Sequence, residues 1–107
     1  MIDISKSFRP KEDELEKTIL GTVLSIGRLS SARRLKPQQF KDMRNRFIFE
    51  IMADLETGEQ ATDYSNVADR LKSKGIESDY LERLRDYGTN EAVLVKLVEL
   101  LKECNIV

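Results

Sequence analysis

The chain has no histidine, no tryptophan and a single cysteine, Cys104, in 107 residues. The missing histidine excludes zinc sites of the Cys/His kind and catalysis by Ser-His-Asp or Cys-His sets. One cysteine leaves no internal disulfide. No G-x4-G-K-[ST] loop and no G-x-G-x-x-G turn is present, so neither phosphate-cradling device is available. The longest unbroken apolar run is four residues, 92–95, against the roughly 20 that a membrane-spanning helix needs. Residues 1–6 lack the basic-then-apolar order of a secretory signal. With one thiol and no export signal, a reducing cytoplasm is the expected setting. Tyr64, Tyr80 and Tyr87 are dispersed, which argues against a stacking platform for single strands.

What remains is a 40% hydrophobic, 35% charged chain of one-domain length, a composition that suits amphipathic helices around one modest core. Net charge is −1 but uneven. Residues 28–46 carry seven basic side chains (Arg28, Arg33, Arg34, Lys36, Lys41, Arg44, Arg46) and one acid, Asp42. That segment is either a pair of solvated helix faces or an electrostatic contact surface. The acidic remainder disfavours tight non-specific DNA binding, which needs many phosphate contacts.

Periodicity predicts helices throughout, and strict alternation never persists over five residues. Residues 1–9 read as a loose polar arm and residues 10–107 as a single helical domain. A first helix is expected over 11–25, with Leu15, Ile19, Val23 and Leu24 on one stripe and Gly27 as its stop. A helical turn follows around Ser30 to Leu35. Pro37 is expected to open the next helix, running to Leu55. Phe47, Ile48 and Phe49 spread around more than half of that helix, which places it centrally or against a partner. Thr62 or Asp63 caps a helix to Lys74, with Gly75 behind it. Asp79 and Glu82 have N-cap and N3 spacing for a short helix. Asn90 caps a last helix over 91–104, whose apolar residues cover an arc of about 160°. The expected fold is an all-α compact bundle of five to six short helices.

Gly21 lies inside the first helix, where glycine costs up to about 1 kcal/mol relative to alanine. A close backbone approach explains it, either within the fold or at a subunit crossing. Glu12, Asp13, Glu14 and Glu16 crowd a helix N-terminus, where the macrodipole favours them. Glu14 and Glu16 are also candidates for partner contact. Cys104, on the apolar side of the last helix, reads as a small core residue. No residue reads as catalytic, metal-binding or cofactor-binding.

Several segments, in order, carry a resemblance. Glu14, Glu16, Ile19, Leu20 and Gly21 fit the pattern E-x-E-x-x-[IVL]-L-G. Leu35, Pro37, Phe40, Arg46, Ile48, Phe49 and Leu55 fit a second pattern, in which Asn45 stands where histidine is usual. Gly58, Asp63, Val67 and Leu71 follow, then Tyr80-Leu81-x-x-Leu84 and Asn90. Over residues 12–104 this resembles the N-terminal domain of DnaB-type replicative DNA helicases. Leu94 departs from it, since that family often has tyrosine there.

The resemblance implies a non-catalytic collar. Six such domains, paired as dimers, stack on a motor ring, support hexamer assembly and help to dock primase. A helicase loader is a further candidate partner. ATP hydrolysis and translocation belong to the motor domain that follows in the family, so this chain is expected to be no enzyme. The first reading is this domain standing alone. The alternatives are a free-standing adaptor or inhibitor of the same fold, which binds helicase or primase, and a small helical DNA-binding domain. The expected interaction surface comprises Arg33, Arg34, Arg44 and Arg46 with Leu97, Leu100 and Leu101 of the last helix. Direct DNA contact is expected to be weak or absent.

Overall fold

A computed structural model describes residues 12–104 of the chain, with side chains described for 14–103. The expected arm at residues 1–9 and the Cys104 side chain lie outside this range. Five α-helices and two 3₁₀ turns make up the described chain. The helices are α1 (Glu12–Ile26), α2 (Met43–Thr57), α3 (Tyr64–Ser73), α4 (Asp79–Arg85) and α5 (Glu91–Cys104). The 3₁₀ turns are Ser30–Arg34 and Pro37–Gln39. No strand occurs among the described residues, and none of their helices is long and apolar enough to cross a membrane.

α1 is the central element, packed against α5, α4 and α2. Leu15, Ile19, Leu20, Val23 and Leu24 are all buried. They meet Phe40 and Phe49, whose rings stack at 4.8 Å, and Leu84, Leu94, Val98 and Leu101 in one core. Burial of apolar surface on this scale is the main stabilising term. Gly21 shows how close the packing is. A Cβ there would collide with the Leu84 carbonyl oxygen and lie 3.0 Å from the Gly88 nitrogen. The absent side chain thus serves an intramolecular crossing of α1 over the end of α4. Thr22 holds the same crossing, accepting a hydrogen bond from the Thr89 N–H at 3.0 Å.

Two helix starts differ from the expectation. Pro37 opens only a single 3₁₀ turn, because Phe40 returns to extended backbone (φ −90°, ψ 122°). α2 begins at Met43, where the Asp42 carboxylate accepts from the backbone N–H of Arg44 and Asn45. A side-chain acceptor at this position satisfies N–H groups that have no partner inside the helix. In α4, Ser78 rather than Asp79 is the N-cap, and no side chain caps it. Asp79 and Glu82 instead lie inside the first turn, where their charge suits the dipole.

The other ends follow the sequence. Asp63 caps α3 through Asn66 N–H, and Asn90 caps α5 through Val93 N–H at 3.0 Å. Gly27 and Gly75 follow α1 and α3 with φ of 77° and 75°. Behind α2 it is Glu59 (φ 58°), and not Gly58, that takes the left-handed conformation. Its neighbour Gln60 donates to the Leu55 carbonyl at 2.8 Å, closing the helix end.

Candidate interaction surfaces

Glu16 is the first residue whose role the fold changes. It is 1% exposed, so it is unavailable to a partner, whereas Glu14 is exposed. The Glu16 carboxylate accepts from Lys41 N–H at 2.7 Å, Asp42 N–H at 3.3 Å and Asn45 Nδ2 at 2.9 Å. It therefore ties α1 to the chain entering α2 and serves a helix N-terminus other than its own. Asn45, itself buried, accepts the Tyr80 hydroxyl on Oδ1 at 2.5 Å. The chain Glu16–Asn45–Tyr80 thus joins α1, α2 and α4 by side chains alone. Among the described residues every buried side-chain polar atom has a partner, the condition under which such a network holds one arrangement.

Tyr80 continues this network to the surface. The Arg44 guanidinium lies over its ring at 4.1 Å. Burial, reinforced by the nearby Asp42 carboxylate, pushes the Tyr80 hydroxyl up to about 12. Beside it opens an apolar groove of about 540 Å³ between α2 and the α3–α4 junction, lined by Met43, Phe47, Ile48, Leu71, Ile76 and Tyr80. Met43 is 68% and Ile76 41% exposed. Lys74 Nζ stands 5.9 Å from the Phe47 ring centroid. Nothing in the linear pattern separated this groove from the core, because Phe47, Leu71 and Tyr80 have ordinary helical spacing.

The basic segment is less basic in space than in sequence. Arg33 holds Glu56 through Nε at 2.8 Å and Nη2 at 2.9 Å. That hydrogen-bonded pairing keeps the Glu56 carboxyl below the usual range. Arg44 pairs with Asp42 at 3.1 Å and lowers Asp42 in the same way, its hydrogen bond being the largest cause. Arg28 reaches Glu91 at 2.9 Å. Ser30 also donates to Glu91, and these two hydrogen bonds, with that from Ser30 the larger cause, hold the Glu91 carboxyl low. Arg46 is half-buried and donates from Nε to the Phe40 carbonyl at 3.1 Å. Arg34 is exposed. The four candidate arginines therefore do not form one free cationic patch. Three of them have protein partners, two of these with carboxylates distant in sequence or outside the helix that bears the arginine.

The last helix divides its apolar arc. Leu94, Val98 and Leu101 are fully buried, so Leu101 is a core residue and not part of a surface. It sits three and seven residues beyond Val98 and Leu94, on the side that α1 covers. Leu97 is partly buried against the same core. Leu100 is 41% exposed, and Val93 and Val95 are exposed as well. Of the three leucines expected at a surface, Leu100 is there, Leu97 is at its edge and Leu101 is inside. Among the described residues no group of three or more Cys, Asp or Glu is placed to hold a metal.

No curated protein and no solved structure matches the chain. The family model described as "DnaB-like helicase N terminal domain" matches residues 9–103. The buried positions of α1, α2 and α3, the Glu16 joint and the tight Gly21 crossing all fall within that match. With nearly its whole length covered, the chain belongs to the DnaB-like helicase N-terminal domain family.

Proposed function

We propose that this chain works as the collar domain of a DnaB-like replicative helicase, bringing helicase subunits together and presenting a surface to primase in a cytoplasmic replication complex. The domain family is non-catalytic and helicase-related, so the role belongs to contact and not to turnover. The observation that carries the reading is the half-covered last helix. Leu94, Val98 and Leu101 face the core while Val93, Val95 and Leu100 remain exposed. Val93 and Leu100 lie together along one edge of the core-facing side, next to Leu97, and that stripe suits association with another apolar helix; Val95 lies along the opposite edge. Dimers, and a hexameric ring with a motor attached, are the assemblies it would serve. A helicase loader is a further candidate partner. Direct DNA contact is weak or absent in this reading, since Arg28, Arg33 and Arg44 are occupied by Glu91, Glu56 and Asp42.

Sedimentation equilibrium tests it. The chain self-associates at high micromolar concentration, and Leu100→Glu shifts it to monomer with its helix content intact. Immobilised chain retains primase from lysate of the source cell, and Leu100→Glu weakens that capture or leaves it unchanged according to whether the same stripe is used. A monomer at all concentrations, together with no capture of primase or helicase, would overturn the reading.

A further inference from the structure

Two apolar surfaces lie on different sides of the described chain. One is the edge of α5 formed by Val93, Leu97 and Leu100. The other is the groove beside Tyr80. Its floor belongs to the core, and its mouth offers exposed Met43 and Ile76 with half-buried Phe47 and Tyr80. We infer that the two meet between copies of this chain, the α5 edge of one molecule seating in the groove of the next. This rests on the self-association part of the collar reading and names the surface that the α5 edge meets. Three observations carry it.

The first is position. α5 packs chiefly on α1 and the Ser30–Arg34 turn, whereas the groove is formed by α2 and the α3–α4 junction. Leu94, Val98 and Leu101 fix α5 in the core, so its free edge cannot swing into the groove of its own molecule. The second is spacing. Residues 93, 97 and 100 stand at i, i+4 and i+7, the spacing by which an amphipathic helix sets its side chains into an apolar groove. The third is charge. Glu77 and Asp79 line the groove and are exposed. Arg44, the cation at the same wall, is paired with Asp42. Lys96 is exposed. It lies three residues after Val93 and four before Leu100, beside both on the helix surface, and brings positive charge to this acidic rim. Lys74, over Phe47, is a further cation at the groove. Exposed Glu103 answers it from the same edge of α5, two turns or about 10 Å beyond Lys96. An apolar contact rimmed by charges of opposite sign gives both affinity and register.

Sedimentation equilibrium of the chain and its variants tests this. Met43→Lys and Ile76→Lys change exposed positions, so helix content is retained. Each weakens self-association roughly tenfold or more, because a new cation faces Lys96 and the apolar edge. Leu100→Glu weakens it from the other side. The contact joins unlike surfaces, so a groove variant and an α5 variant each keep the half that the other lacks. An equimolar mixture of the Met43→Lys and Leu100→Glu chains is expected to form a one-to-one complex, tighter than either variant forms with itself. A contact of α5 with α5 gives no such recovery. Self-association undiminished in both groove variants would overturn the proposal. So would a mixture that associates no better than its components, or an unaltered chain that is monomeric at all concentrations. The first two results leave the collar reading standing, with α5 meeting some other surface. After the third, capture of primase or helicase decides that reading by itself.

Discussion

α1 and α5 are both rich in apolar residues and pack on each other, yet their surroundings differ. α1 is enclosed: its apolar positions are buried, Glu16 and Thr22 are buried with them, and even its glycine is used as a contact. α5 buries three positions on one side and leaves Val93 and Leu100 exposed along one edge of that side and Val95 along the other. The difference teaches what an apolar helix means in a domain of this size. A single helix can be covered over most of its circumference when four other elements surround it, leaving on α1 an exposed strip at Glu14 and Ser25. The last helix in the order has neighbours on one side only, and the apolar residues beyond that side become surface. The family match runs over residues 9–103 and takes in both helices.

The sharpest way to break the contrast is to disturb the enclosed helix. Gly21→Ala is expected to cost about 3 kcal/mol or more, because the colliding atoms are backbone and cannot swing aside. Urea denaturation would show it as a lowered midpoint at unchanged slope. A near-neutral effect would mean that α1 and α4 are not in close backbone contact.

Within α5 the two sides should separate by substitution. Leu101→Ala is expected to cost about 2–5 kcal/mol through a cavity. Leu100→Ala, measured on monomeric protein, should stay within about 0.5 kcal/mol. Equal costs would show that the exposed side is covered in the isolated chain.

The smallest expected effect is in alkali. Tyr80 holds its proton up to about 12, above the ordinary value of 10.0. The folded state thus binds this proton more tightly than the unfolded state does. Its contribution is present below pH 10 and is lost as the pH rises towards 12. Tyr80→Phe should be less stable at neutral pH, leaving Asn45 Oδ1 without that donor, and should flatten the decline between pH 10 and 12. Thermal melts across that interval measure both. An unchanged alkaline decline in the variant would place the titrating group elsewhere.

Much of the fold was legible. The stripes of α1 and α3, the caps Asp63 and Asn90, and the stops at Gly27 and Gly75 depend on neighbours within a few residues, and spacing reports such neighbours directly. Gly21 was legible as a close approach, though not the atoms that approach it. Pro37 is a good helix opener in isolation, but the Asp42 carboxylate caps α2 at Met43, and Glu16, 26 residues before Asp42, accepts the N–H groups of Lys41 and Asp42 ahead of it. Glu16 was read at its own helix terminus for the same reason. Leu101 was read as surface because an arc of about 160° does not say which part is covered.

The surfaces were less legible. Seven basic residues in a short span look like a cationic patch until Glu56 and Glu91 arrive from elsewhere in the chain to pair with Arg33 and Arg28. The groove depends on α2, α3 and α4 meeting at an angle that leaves Met43 and Ile76 uncovered.

The sequence by itself determined that the domain is helical, where most helices end, that no histidine-based chemistry is present, and which family it joins. Those follow from composition and from interactions within one turn of helix. The tertiary structure alone decided that Glu16 is a buried fastener, that the arginines are mostly engaged, that Leu101 is inside while Leu100 is out, and that a groove lies beside Tyr80. Each of these depends on which residues distant in sequence are brought within a few ångströms, and burial and pairing energies act only over that range.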